Sequence, residues 1–148
     1  MKLLVAVDLT PSSAAVLREA RAWSQRLSAA VTLLHVADPD PDFIGYEPGP
    51  DTVRDAIAHK FRREQAELEK AADELRADGL EVTALLLQGP TAQTILNEAG
   101  KIEADAILMG TRAHGALREL LVGSTSKGVL HKADRPVLLV PPHDDPDA

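Results

Sequence analysis

Residues 106–140 constrain the fold most. There an apolar run, Ala106-Ile107-Leu108-Met109, stops abruptly at Gly110-Thr111-Arg112. After twelve intervening residues, 111–122, Gly123-Ser124-Thr125-Ser126 opens a helical pattern, and Arg135-Pro136 leads into a second apolar run, Val137-Leu138-Leu139-Val140. Strand, small-residue loop, helix start and strand is the order of parts that turns backbone N–H groups toward an anion. Glycine permits close backbone approach, while Ser and Thr add hydroxyl donors. The segment therefore predicts a phosphate site.

The rest of the chain supplies matching units. Residues 2–7 are a Leu- and Val-rich run ending at Asp8, as a buried parallel strand would. Thr10-Pro11-Ser12-Ser13 reads as a turn and cap, followed by a helix with Ala14, Leu17, Ala20 and Leu27 on one stripe. Residues 31–36 form a second strand. Residues 38–50, with four prolines and two glycines, read as an irregular loop. A long helix spans 51–78, with Val53, Ile57, Phe61, Leu68, Ala72 and Leu75 on its apolar side, and Gly79 stops it. Strands at 81–87, 105–109 and 136–140 and a helix through Thr94, Ile95, Leu96 and Ala99 complete the pattern. Strands alternating with helices predict an α/β fold: a three-layer, doubly wound, five-stranded parallel sheet in the order 3-2-1-4-5, with helices on both faces. That order reverses its winding between strands 1 and 4, where ligands of such sheets bind. Asp8 and Gly110 both fall at that crevice. The expected organisation is one domain over 1–141 and a mobile acidic tail over 142–148.

Composition narrows the function. A chain of 148 residues that is 45% hydrophobic and 26% charged is large and apolar enough for one core. It has no cysteine, so neither a disulfide framework nor a thiolate metal site is available. No apolar run reaches the roughly 20 residues of a membrane helix, and the N-terminus lacks a signal-peptide pattern, so the expected location is cytoplasmic. A net charge of -7 and only four aromatics argue against nucleic acid as partner. The five histidines (His35, His59, His114, His131, His143) show no metal-ligand spacing, and no metal site is expected in the protein itself. His35 sits near the end of strand 2, either packed or bordering the crevice.

On these residues the chain resembles the universal stress protein family over nearly its whole length. Nucleotide-binding members carry Gly, two residues, Gly, nine residues, Gly and Ser or Thr between strand 4 and helix 4. Here Gly110, two residues, Ala113, residues 114–122, Gly123 and Ser124 keep that spacing, with Ala113 in place of the second glycine. Val5-Ala6-Val7-Asp8, Leu34-His35-Val36, Leu120-Leu121-Val122-Gly123-Ser124 and Arg135-Pro136-Val137-Leu138-Leu139-Val140 are similar to the family as well. The resemblance implies the adenine nucleotide α-hydrolase-like fold and ATP or a related adenine nucleotide in the crevice. Asp8 would lie beside the ribose, and Val36 would offer its backbone to the adenine edge. Gly110, Gly123 and Ser124 would hold the phosphates, with Thr125 and Ser126 adding amide or hydroxyl donors and Arg112 a candidate for pairing with phosphate. The resemblance further implies a homodimer through the edge strand 137–140. At Ala113, a β-carbon on a left-handed backbone costs about 1 kcal/mol, roughly a factor of five in affinity.

Each residue also has a plainer reading. Asp8 can cap the following helix, Gly110 can end a strand, Gly123-Ser124 can be an N-cap, and Arg112 can be a solvated or salt-bridged side chain. Their convergence on one crevice favours the ligand. The sequence lacks the parts of a fast phosphoryl-transfer catalyst: Lys127 follows the serine cluster instead of preceding it, and no acid or base is set for magnesium or water. Magnesium would come with the phosphates of ATP. The expected function is a nucleotide-sensing regulatory module of the stress response with an unidentified protein partner. The alternatives are a nucleotide-free interaction protein of the same fold and a slow ATPase or self-phosphorylating protein.

Overall fold

Five parallel strands pair in the order β3-β2-β1-β4-β5. The computed structural model describes residues 1–37, 52–111 and 123–142. Along the chain the elements are β1 (Lys2–Ala6), α1 (Ser13–Leu27), β2 (Ala30–Ala37), α2 (Thr52–Ala77), β3 (Val82–Gln88), α3 (Thr91–Lys101), β4 (Ala106–Gly110), α4 (Ser124–Lys132) and β5 (Val137–Val140). The sheet order is the one expected from the alternation of elements. The expected irregular loop, residues 112–122 and the tail from 143 onward lie outside the described residues.

Right-handed crossovers explain the layers. Winding outward from β1 to β3 puts α1 and α2 on one face, and returning to β4 and β5 puts α3 and α4 on the other. Strand pleating divides the core accordingly: Leu3, Val5, Val31, Leu33 and Leu108 pack toward α1 and α2, and Leu4, Leu34, Ile107 and Met109 toward α3 and α4. A strand covered on both faces must be apolar at successive positions, which is why β1 and β4 read as continuous apolar runs.

Two helix faces differ from expectation. On α1, Ala14 is exposed and Leu27 is 39% exposed, while Ser13, Val16, Ala20 and Ser24 form the buried stripe. Helical spacing defines a period but not its phase, and the two serines satisfy themselves locally: Ser13 Oγ donates to Asp8 and Ser24 Oγ to the Ala29 carbonyl. On α2, Leu68, Ala72 and Leu75 are buried, but Ile57 and Phe61 are 42% and 36% exposed. A helix of 26 residues is about 39 Å long, whereas β2, with eight residues, extends about 26 Å. The first half of α2 therefore overruns the sheet.

The second layer is tied down at two points. Arg135 Nη1 donates to the carbonyls of Ala99 (2.7 Å) and Ala104 (2.8 Å), joining the end of α3 to the start of β5. The same guanidinium, by hydrogen bond and then by charge, holds the Asp134 carboxyl below the usual carboxylate range. Helices α3 and α4 meet at Gly128, where a β-carbon would lie 2.9 Å from Ala92 Cβ. That contact sets how close α4 can sit, and with it the position of its first turn. Gly128→Val should cost about 2 kcal/mol through overpacking. Chemical denaturation would show it as a lower midpoint with an unchanged slope; an unchanged midpoint would mean the two helices separate freely.

Candidate functional site

At the carboxyl edge of the sheet, β1 ends in a turn organised by Asp8. Leu9 takes a positive φ of 58°, which redirects the chain. Asp8 Oδ1 accepts from Thr10 N (3.1 Å), Thr10 Oγ1 (2.7 Å) and Ser13 Oγ (2.8 Å). Asp8 therefore organises the turn that leads to α1, whose N-cap is Ser12, and the same exposed residue lines the crevice. Thr10 and Ser13 serve the turn, as their positions in the sequence suggest.

The end of β2 brings two groups to the crevice. His35 is buried, with Nδ1 2.9 Å from the Val7 carbonyl. A carbonyl only accepts, so Nδ1 carries the proton. Nε2 then faces Glu64 Oε2 of α2 at 3.6 Å. The other group is the backbone of Val36. Leu34 O accepts from Val7 N at 2.9 Å, the last bond between β1 and β2. Strand periodicity of two turns the Val36 N–H and C=O to the same side, one step beyond that bond, where β1 has already turned away. An edge with one donor and one acceptor is presented there, beside the buried Val36 side chain.

Strand β4 and helix α4 supply the third wall. Gly110 is the last residue of β4, in register with Val140, and its backbone is not left-handed. A β-carbon there would make ordinary contact with Val16 Cγ2 at 3.5 Å. Gly123 is the N-cap of α4 (φ -58°, ψ 159°) and has no side chain of its own to cap the helix. The first i→i−4 bond runs from Lys127 N to Gly123 O at 2.9 Å. The amides of Ser124, Thr125 and Ser126 therefore lack partners within the helix and form its positive end. Ser126 itself is 3% exposed, and its hydroxyl donates to the Gly110 carbonyl at 2.9 Å.

These walls enclose a cavity of about 750 Å³, within the size range of small-molecule sites. Asp8, Val36, Gly110, Gly123, Ser124, Thr125 and Ser126 all line it. Arg112 and Ala113 lie outside the described residues. The cavity also takes in Thr91 at the start of α3, Lys60 and Glu64 of α2, and Lys127 of α4, none of which the sequence reading placed there. Lys127 carried a local signal, one helical turn from the Gly123-Ser124 cap. Lys60 and Glu64 carried none, because only the crossing of α2 over the sheet edge brings them in. No group of three or more metal-ligating side chains occurs among the described residues, and none of their helices is long and apolar enough to cross a membrane.

Known proteins share this architecture. The profile of the universal stress protein family matches residues 1–141. A universal stress protein of Thermus aquaticus is 35% identical, with 93% of this chain and 96% of the relative aligned. A solved structure from Methanocaldococcus jannaschii superposes with a TM-score of 0.81 at 25% identity, covering 97% of both chains. A universal stress protein of Archaeoglobus fulgidus, solved in complex with dAMP, superposes with a TM-score of 0.65 at 25% identity, covering 95% of this chain and 97% of that one.

The Ser126 hydroxyl joins the first turn of α4 to the end of β4. Ser126→Ala should lower stability by about 1 kcal/mol, by leaving the Gly110 carbonyl without this donor. Thermal unfolding would register the loss, and no change would mean that the bond contributes nothing net.

Proposed function

We propose that this chain, which belongs to the universal stress protein family, binds ATP or a related adenine nucleotide in the crevice between β1 and β4 and acts as a nucleotide-sensing module. One observation carries the reading: the first turn of α4, whose amides have no partner within the helix, and the polar edge of Val36 line the same cavity. The two features are of opposite kinds. Unpaired amides at a helix N-terminus complement phosphate oxygens. A strand edge with adjacent N–H and C=O groups complements the donor and acceptor of an adenine edge, and the apolar Val36 side chain beside it suits the base. Asp8, at the turn between these two walls, would accept from ribose hydroxyls. The dAMP complex of the Archaeoglobus fulgidus relative supports an adenine nucleotide as the ligand class.

The residues fit such a ligand without a protein metal cage, and magnesium would arrive on the phosphates. When bound, the nucleotide supplies negative charge to the α4 end and bridges β1, β2 and β4. Binding to the folded chain alone stabilises it by about 2.7 kcal/mol at a hundred times the dissociation constant. That energy is available to shift a surface toward a protein partner, which is the regulatory role we assign in the cytoplasm. Ala113, where nucleotide-binding members carry glycine, is the one feature favouring a second reading, an interaction protein of the same fold that works without nucleotide.

We also assign a homodimer to the β5 edge. Strand β5 is terminal in the sheet order, and Val137, Leu138 and Leu139 remain only half-buried. An apolar edge with open backbone groups is otherwise prone to uncontrolled pairing.

Calorimetric titration of ligand-free protein with magnesium-ATP should give saturable binding near one nucleotide per chain. Gly123→Val should abolish it with the circular dichroism unchanged, since a branched side chain at the N-cap blocks the α4 amides. No binding by the parent at millimolar nucleotide selects the nucleotide-free reading; full binding by the variant moves the phosphate site elsewhere. In sedimentation the parent should run as a dimer and Leu139→Lys as a folded monomer. A dimer unchanged by that charge removes β5 from the interface.

A further inference from the structure

We propose that Lys127 selects among nucleotides by the charge of their phosphate tail, an inference that rests on reading the cavity as a nucleotide site. Four charged side chains of the described residues line the cavity: Asp8, Lys60, Glu64 and Lys127. The two acids have work within the protein. Asp8 organises the β1 turn through Thr10 and Ser13, and Glu64 faces His35. Neither Lys60 nor Lys127 has an ion-pair partner among the described residues. In a chain with 23 acidic and 16 basic residues, two lysines that line a cavity and pair with no acid among the described residues run against the composition.

Lys127 is the more telling of the two. It is the fourth residue of α4, and its own amide closes the first helical bond. A cation near a helix N-terminus opposes the macrodipole, by a few tenths to about 1 kcal/mol. No acidic residue in the first turn of α4 offsets it. Side chains on a helix lean toward its N-terminus, so the Lys127 stem runs back toward the turn of Ser124 and Thr125, where the unpaired amides gather. A helix end and an ammonium group together make a positive site larger than one phosphate group needs. Its natural complement is a phosphate chain bearing several negative charges. The uncharged nucleoside, bound through Val36 and Asp8, would gain nothing from Lys127.

The test uses the full chain and four ligands, adenosine, AMP, ADP and ATP, titrated at two salt concentrations. For the parent, affinity should rise along that series. Lys127→Gln should weaken ATP about tenfold, the scale of one charged hydrogen bond, leave adenosine unchanged and flatten the salt dependence. Lys127→Arg should restore both, and Lys132→Gln, at the far end of the same helix, should behave as the parent. An equal loss for adenosine and ATP would make Lys127 structural and overturn the proposal. So would an ATP affinity that Lys127→Gln leaves intact. A parent that binds none of the four overturns the nucleotide reading itself, and this inference with it.

Discussion

Everything in this molecule depends on β1 and β4 lying side by side as parallel neighbours, in register from Leu3 with Ala106 to Ala6 with Met109. Strands so far apart in sequence cannot be joined by a tight turn, and their pairing reverses the direction in which the sheet winds. The helices must then divide between the faces, and the loops leaving β1 and β4 must diverge. A crevice at the carboxyl edge is the geometric consequence. It exists before any particular side chain lines it.

What fills that crevice with chemistry is the termination of each strand. Strand β1 stops pairing with β2 at Val7, because the Asp8 turn and the left-handed Leu9 carry the chain away. Strand β2 continues, so the polar edge of Val36 extends past its neighbour. Strand β4 ends at Gly110, whose carbonyl receives the Ser126 hydroxyl and holds the first turn of α4 close to the sheet. The close crossing at Gly128 and Ala92 and the Arg135 bonds to the end of α3 fix that helix from the other side. The first turn of α4 and the end of β2 are thereby held on one frame, and for the proposed nucleotide such preorganisation would lower the ordering cost of binding.

Much of this was legible in the residues. Apolar runs of strand length ending at Asp8 and Gly110 announced buried parallel strands, and their alternation with helical patterns implied the 3-2-1-4-5 order now observed. Of the cavity lining, the glycines and hydroxyl residues around the start of α4 were recognisable because a strand end and a helix cap are local in sequence. The α1 and α2 faces were less legible. Ser13 and Ser24 are buried because hydrogen bonds to Asp8 and Ala29 satisfy them, and no hydropathy pattern encodes that. Ile57 and Phe61 look like core residues and are exposed, because the helix outruns the strands beneath it.

The residues alone settle the element types, their order and the helix start at Gly123-Ser124, because each depends on contacts within a few residues. Tertiary structure alone decided that His35 of β2 meets Glu64 of α2 across the layers, and that Lys60 and Lys127, far apart in the chain, face one cavity. It also decided that the Ser126 hydroxyl bonds the Gly110 carbonyl. Such outcomes depend on where a helix lies across the sheet, which is set by the packing of both faces at once. A period along the chain records which residues share a side; only the packed layers settle what that side meets.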